Sequence, residues 1–134
     1  MQNIVKILMF GSLFVLLQPL YAGSSPVIQL TERSFQQTIN TKTPVLVKFW
    51  ASWCGPCKRM AVPFRQVARS YQGKIRFAEV NIDHLRAVTH AYGVQTVPTT
   101  ILFIHGKEVD RVRGALDRRQ IDYWASEIVR GRYE

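Results

Sequence analysis

The sequence predicts an α/β domain built on a mixed central β-sheet with helices on both faces. Three observations predict it. Stretches with strand character at residues 27–30, 44–51, 74–82 and 99–105 alternate with helical spacing at 32–39, 54–71 and 83–91, the pattern of strand–helix–strand units. A turn signal around Gly106-Lys107 then joins 99–105 to a further strand at 108–113 as a hairpin, which adds an antiparallel pair to the sheet. Finally, 134 residues that are 47% apolar, with two Cys and scattered Gly and Pro, fit one domain held by packing. They do not fit a disulfide-dense scaffold, a disordered chain or a solenoid.

Residues 1–22 stand apart. Ile7 to Leu17 is apolar except for Gly11 and Ser12, follows the single positive side chain Lys6, and is broken by Gln18-Pro19. That run has the length of a secretory core (7–15 residues) and falls short of the roughly 20 residues of a spanning helix, so a signal peptide is expected. Ala22, Gly23 and Ser24 favour cleavage after Ala22, with Leu20 larger than the minus-three position prefers. Because no charge occurs between Lys6 and Glu32, an uncleaved anchor reaching Tyr21 is the alternative. Either way the domain is expected outside the cytoplasm, in a bacterial periplasm.

After a linker at 23–26, the strand at 27–30 leads to Thr31, whose hydroxyl can cap a helix over 32–39 while Glu32 favours its positive end. Residues 44–51 read Pro-Val-Leu-Val-Lys-Phe-Trp-Ala, a β-branched and aromatic run expected of a central strand covered on both faces, with Lys48 the odd member. A helix from Cys54 or Gly55 to about Tyr71 carries Met60, Phe64, Val67, Ala68 and Tyr71 at helical spacing, Pro63 as a kink, and Gly73 as its stop. Asp83 is expected to cap a helix running to Ala91, with Gly93 as its stop, and Asp117 to begin a last helix with Ile121, Trp124, Ala125 and Ile128 on one face.

Removing residues 1–22 takes away one of the 18 basic side chains and none of the nine acidic ones, which leaves net +8. Six Arg fall between Arg111 and Arg132. Such a surface suits anionic headgroups or acidic proteins, or simply solvates the domain. Export argues against nucleic acid, and a weak attraction to membrane surfaces is expected.

Chemistry concentrates at Trp53-Cys54-Gly55-Pro56-Cys57-Lys58, where a central strand hands over to a helix. A thiolate in the first helical turn faces unpaired N–H groups and the positive end of the helix dipole, which lower its pKa. Cys54, first and nearer solvent, is the expected nucleophile, and Cys57, one turn in, the resolving thiol. The inferred reaction is thiol–disulfide exchange: Cys54 attacks a substrate disulfide, and Cys57 then attacks the Cys54 sulfur to release reduced substrate and leave a Cys54–Cys57 bridge. The motif fixes this chemistry but not its direction.

Phe49-Trp50-Ala51-Ser52-Trp53-Cys54-Gly55-Pro56-Cys57-Lys58 resembles the active-site segment of thioredoxins. The resemblance extends over about 27–131 through Tyr71-Gln72-Gly73-Lys74, Val80-Asn81-Ile82-Asp83, Tyr92-Gly93-Val94, Val97-Pro98-Thr99 and Arg113-Gly114-Ala115. It implies a thioredoxin fold with four helices and a cis peptide before Pro98. It also implies that the backbone of Val97 pairs with substrate, and that Trp53, Gly55, Pro56, Thr96 and Gly114-Ala115 line a shallow apolar groove around Cys54 for protein substrates.

Two departures from the family pattern follow. Thioredoxins carry a buried Asp at the position of Lys48 and often a Lys at that of Glu79, so the charges are exchanged. As sheet neighbours, Lys48 and Glu79 would form a partly buried pair beneath Cys57, with Glu79 accepting the Cys57 proton. Alternatively Lys48 stabilises a thiolate and makes the protein more oxidising, or the pair is structural. Pro63 falls one residue later than the usual helix proline.

A zinc site made of Cys54, Cys57, His84 and His90 is disfavoured by the long Cys57-to-His84 gap. His105 reads as a hairpin residue, and no cofactor is called for. The Gly-Pro dipeptide between the cysteines resembles that of the reducing thioredoxins. The preferred reading is therefore an exported reductant supplied with electrons by a membrane thiol-redox partner. The alternatives are an exported disulfide oxidase or isomerase, and a non-redox binding module.

Overall fold

The computed structural model describes residues 23–134; the expected signal peptide or anchor lies outside the described residues. The chain runs β1 (Val27–Gln29), α1 (Glu32–Ile39), β2 (Val45–Trp50), α2 (Gly55–Ser70), β3 (Arg76–Asn81), α3 (Arg86–Ala91), β4 (Thr99–Ile104), β5 (Lys107–Arg113) and α4 (Arg118–Val129). Among the described residues no helix is long and apolar enough to cross a membrane.

The sheet order is β1-β3-β2-β4-β5, with β1, β3 and β2 parallel and β4 and β5 antiparallel. Strand β2 is central, and its side chains alternate between two cores. Leu46, with Val27, Phe77 and Leu102, packs under α2 and α4 against Met60, Phe64, Ile121 and Trp124. Val45, Val47 and Phe49 pack on the other face against Phe35 and Ile39 of α1 and Leu85 and Val88. Burial on both faces is why β2 is almost wholly apolar. The outer strand β5 instead carries Lys107, Glu108, Asp110, Arg111 and Arg113, charges that discourage edge-to-edge pairing.

Helix α1 begins with the expected Thr31 cap, reinforced by the Ser34 hydroxyl accepting from the Thr31 N–H at 2.9 Å. Helix α2 continues across Pro63. Helix α3 ends in a Schellman motif: the Gly93 N–H donates to His90 at 3.0 Å, the Val94 N–H donates to Thr89 at 3.1 Å, and Gly93 has φ 60°. The C-terminus is pinned by Tyr133, whose hydroxyl donates to Asp110 at 2.6 Å and accepts from the Trp124 indole at 2.9 Å. Burial, then the bond to Asp110, holds the Tyr133 phenol above its usual range.

Two local expectations are corrected. Asp83 does not cap α3: Leu85 occupies the N-cap without a side-chain bond, and the helix starts at Arg86. The Asn81 side chain accepts from the Asp83 N–H at 3.0 Å and turns the chain first, while the Asp83 carboxylate bonds elsewhere. The hairpin turn is His105-Gly106, one residue earlier than expected, because both have positive φ (50° and 78°) as a two-residue type I′ turn demands. A Cβ on Gly106 would also press on the Asn40 side chain. Gly106→Ala is therefore expected to lower unfolding stability by about 1–3 kcal/mol in urea titrations. An unchanged midpoint would mean that the turn relaxes freely.

Candidate active site

The cysteine pair sits where β2 ends and α2 begins. Cys54 is the N-cap residue of α2, in extended conformation, and its sulfur accepts from the Cys57 N–H at 3.2 Å. Gly55 and Pro56 form the first turn between them; Pro56 has no N–H to lose there. The two Cα atoms are 5.3 Å apart and the sulfurs are joined as a disulfide. Exposure separates the two less than expected, at 4% for Cys54 and 2% for Cys57. Position separates them instead. Cys54 faces the loop before β4, whereas Cys57 lies inside the helix.

That loop is built by the cis Val97–Pro98 peptide. It places the Val97 carbonyl oxygen 3.6 Å from the Cys54 sulfur. The Thr99 hydroxyl donates to the Thr96 carbonyl at 2.6 Å, closing the turn, and the Gly114 N–H donates to the Pro98 carbonyl at 2.8 Å. Gly114, at φ 99°, thereby brings Gly114-Ala115 beside Pro98. Val97, Ile82 and Trp50 pack around Ala51, Cys54 and Cys57, forming the apolar setting of the sulfurs. Trp53 projects outward, 66% exposed, and its indole N–H donates to Asp83 at 3.0 Å. Gly55, Pro56, Thr96 and Gly114 are exposed around this centre.

Ile82, Asp83 and Thr99 were not among the residues the sequence put at the site. The segments Val80-Asn81-Ile82-Asp83 and Val97-Pro98-Thr99 carry the resemblance but assign these three residues no role, and Asp83 reads equally well as a helix cap.

Lys48 and Glu79 are register partners on neighbouring strands, on the sheet face that α2 covers. Lys48 Nζ lies 3.0 Å from a Glu79 carboxylate oxygen, with side-chain exposures of 3% and 16%. The ammonium also sits 4.7 Å from the centre of the Phe64 ring, a cation–π contact. The other Glu79 oxygen accepts from Gln29 on β1, while Thr100 on β4 stands opposite Lys48. The result is a polar row, Gln29–Glu79–Lys48–Thr100, crossing four strands under the helix that carries the cysteines. Glu79 borders an open cavity of about 240 Å³ lined by Gln29, Ala61 and Arg65 among others, so the row has a wet end. Among the described residues no cluster of three His, Cys, Asp or Glu is arranged to hold a metal ion.

A reactive pair at a helix N-terminus, faced by a cis-proline loop on a mixed sheet, defines a protein-disulfide oxidoreductase. The thioredoxin family model matches residues 26–127. Pseudomonas aeruginosa thioredoxin is 40% identical over 99 residues, covering 73% of this chain and 92% of that protein. Griffithsia pacifica thioredoxin is 40% identical over 93 residues, covering 69% and 85%. The crystal structure of Malassezia sympodialis thioredoxin (Mala s 13) superposes with a TM-score of 0.72 at 27% identity, covering 77% of this chain and 90% of that one. The chain belongs to the thioredoxin family.

Proposed function

We propose that the chain is an exported thioredoxin that reduces protein disulfides, with electrons supplied by a membrane thiol-redox partner. The observation that carries the direction is the Gly55-Pro56 dipeptide in the first turn of α2, the spacer found in reducing members of the family. The Cys54 thiolate attacks one sulfur of the substrate disulfide, and the other sulfur leaves as a thiolate that takes a proton. Cys57 loses its proton and attacks the Cys54 sulfur, which releases the second substrate thiol and closes the Cys54–Cys57 bridge. Two electrons have passed to the substrate, and a membrane dithiol returns them. The Val97 backbone aligns an extended substrate segment, Thr96 and Gly114-Ala115 border it, and Trp53 covers its apolar side chains.

Glu79 is the proposed acceptor of the Cys57 proton, supported by its place under α2 and its open cavity. Localisation to the periplasm rests on residues 1–22.

A second reading has its own observation. The Lys48 ammonium is buried on the side of the sheet that carries the cysteine helix, and a positive charge there favours thiolate over disulfide. Equilibration of residues 23–134 with a glutathione or thioredoxin couple separates the two. A potential near about −270 mV supports the reductant, and one near about −120 mV assigns the chain to disulfide formation.

A further inference from the structure

The C-terminal basic side chains and those of α2 differ in their partners. Toward the C-terminus, Arg111 pairs with Glu108, and Arg130 and Arg132 pair with Glu127. Helix α2 contains Lys58, Arg59, Arg65 and Arg69 and neither Asp nor Glu. Among the described residues none of these four forms an ion pair. The arginine cluster conspicuous in the sequence is thus partly neutralised in the fold, with Arg113, Arg118 and Arg119 outside any ion pair among the described residues, while on α2 all four basic side chains stand without an acidic partner.

Lys58, Val62, Arg65 and Arg69 are spaced so that they stand in one row on a helix. The row lies opposite the buried Met60, Phe64, Val67 and Ala68, and Val62 in its middle is 54% exposed. From Lys58 to Arg69 it is about 16 Å long, at 1.5 Å per residue. Gly23 to Pro26 lie against Arg65, Arg69 and Gln72 around an open cavity of about 470 Å³. Gly23, the first described residue, therefore lies at the Arg65–Arg69 end of the row.

We propose that this row docks on anionic phospholipid headgroups of the membrane to which residues 1–22 direct the chain. Guanidinium groups pair with phosphodiesters through two parallel hydrogen bonds, and Val62 offers an apolar contact at the interface. A retained leader would hold the row against the bilayer; a cleaved one leaves reversible binding. Docked this way, α2 lies along the surface. Cys54 at its N-terminal end then stays near the headgroup plane, while the groove beyond that end remains open. A membrane partner would have to present its thiols close to the bilayer. The biological setting rests on the export reading, but the surface itself does not.

The test is co-sedimentation of residues 23–134, a domain whose counterparts in the curated relatives make up nearly the whole protein, with vesicles. Vesicles of phosphatidylcholine alone are compared with vesicles containing about one-third phosphatidylglycerol, at low and at roughly 0.15 M salt. Binding is expected only to the anionic vesicles, weaker in salt, and at least about tenfold weaker in R65Q/R69E. The charge-matched R118Q/R119E on α4 should lose less than about threefold, with circular dichroism reporting the fold of both variants. Equal losses in the two variants, or no binding to anionic vesicles, overturn the proposal. Fractionation of cells making the full chain tests export separately, so a cytoplasmic chain that still binds the vesicles refutes the export reading and leaves the surface standing.

Discussion

Cys54→Ser is expected to abolish reduction of a disulfide-linked protein, by at least about 10³-fold, because it removes the attacking sulfur of a unit whose members do not act separately. Cys57→Ser is expected to be as inactive in turnover yet chemically informative. The helix N-terminus and the backbone N–H of residue 57, which donates to Cys54 at 3.2 Å, remain in place. Attack therefore proceeds, and the mixed disulfide has no internal thiol to resolve it. It should accumulate to about one substrate per protein and be visible by mass under non-reducing conditions. If instead Cys54→Ser traps substrate and Cys57→Ser does not, the two roles are exchanged. The double serine variant addresses the binding-module alternative, since a cellular task that survives it needs no redox chemistry.

The cysteine pair and the central strand were legible because both are local. The run Val45–Trp50 advertises a strand buried on both faces, and the two sulfurs lie within one helical turn of each other. Asp83 reads as a helix cap in the sequence because its partner, Trp53, is thirty residues away, and only the tertiary structure sets an indole N–H in competition with a free helix end. The hairpin is legible in the sequence as a hairpin, but its register depends on which two residues take positive φ. A single Gly in the stretch does not decide that. The Lys48–Glu79 pair came from the family resemblance, which made the strands neighbours. Gln29 and Thr100 were invisible, since nothing within β1 or β4 says which residue of an adjacent strand will stand opposite.

That polar row carries the second large effect. Glu79→Gln removes the counter-ion of an ammonium that is 3% exposed, and is expected to lower the stability of the oxidised protein by about 3–5 kcal/mol in urea titrations. Lys48→Met leaves a carboxylate that still accepts from Gln29 and borders the open cavity, so a smaller loss, about 1–2 kcal/mol, is expected. Combining the two should recover part of the single losses, giving a coupling of at least about 1 kcal/mol. Equal single losses that simply add would mean that Lys48 does not depend on Glu79. Kinetics then separates structure from catalysis. The rate at which Cys57 resolves a preformed mixed disulfide is compared across pH in wild type, Glu79→Gln and the double variant. A proton acceptor at position 79 predicts slower resolution with an altered pH profile in both variants, including the double variant whose stability is partly restored. If resolution returns as stability returns, the exchanged pair holds the sheet under α2 and takes no part in the proton transfer.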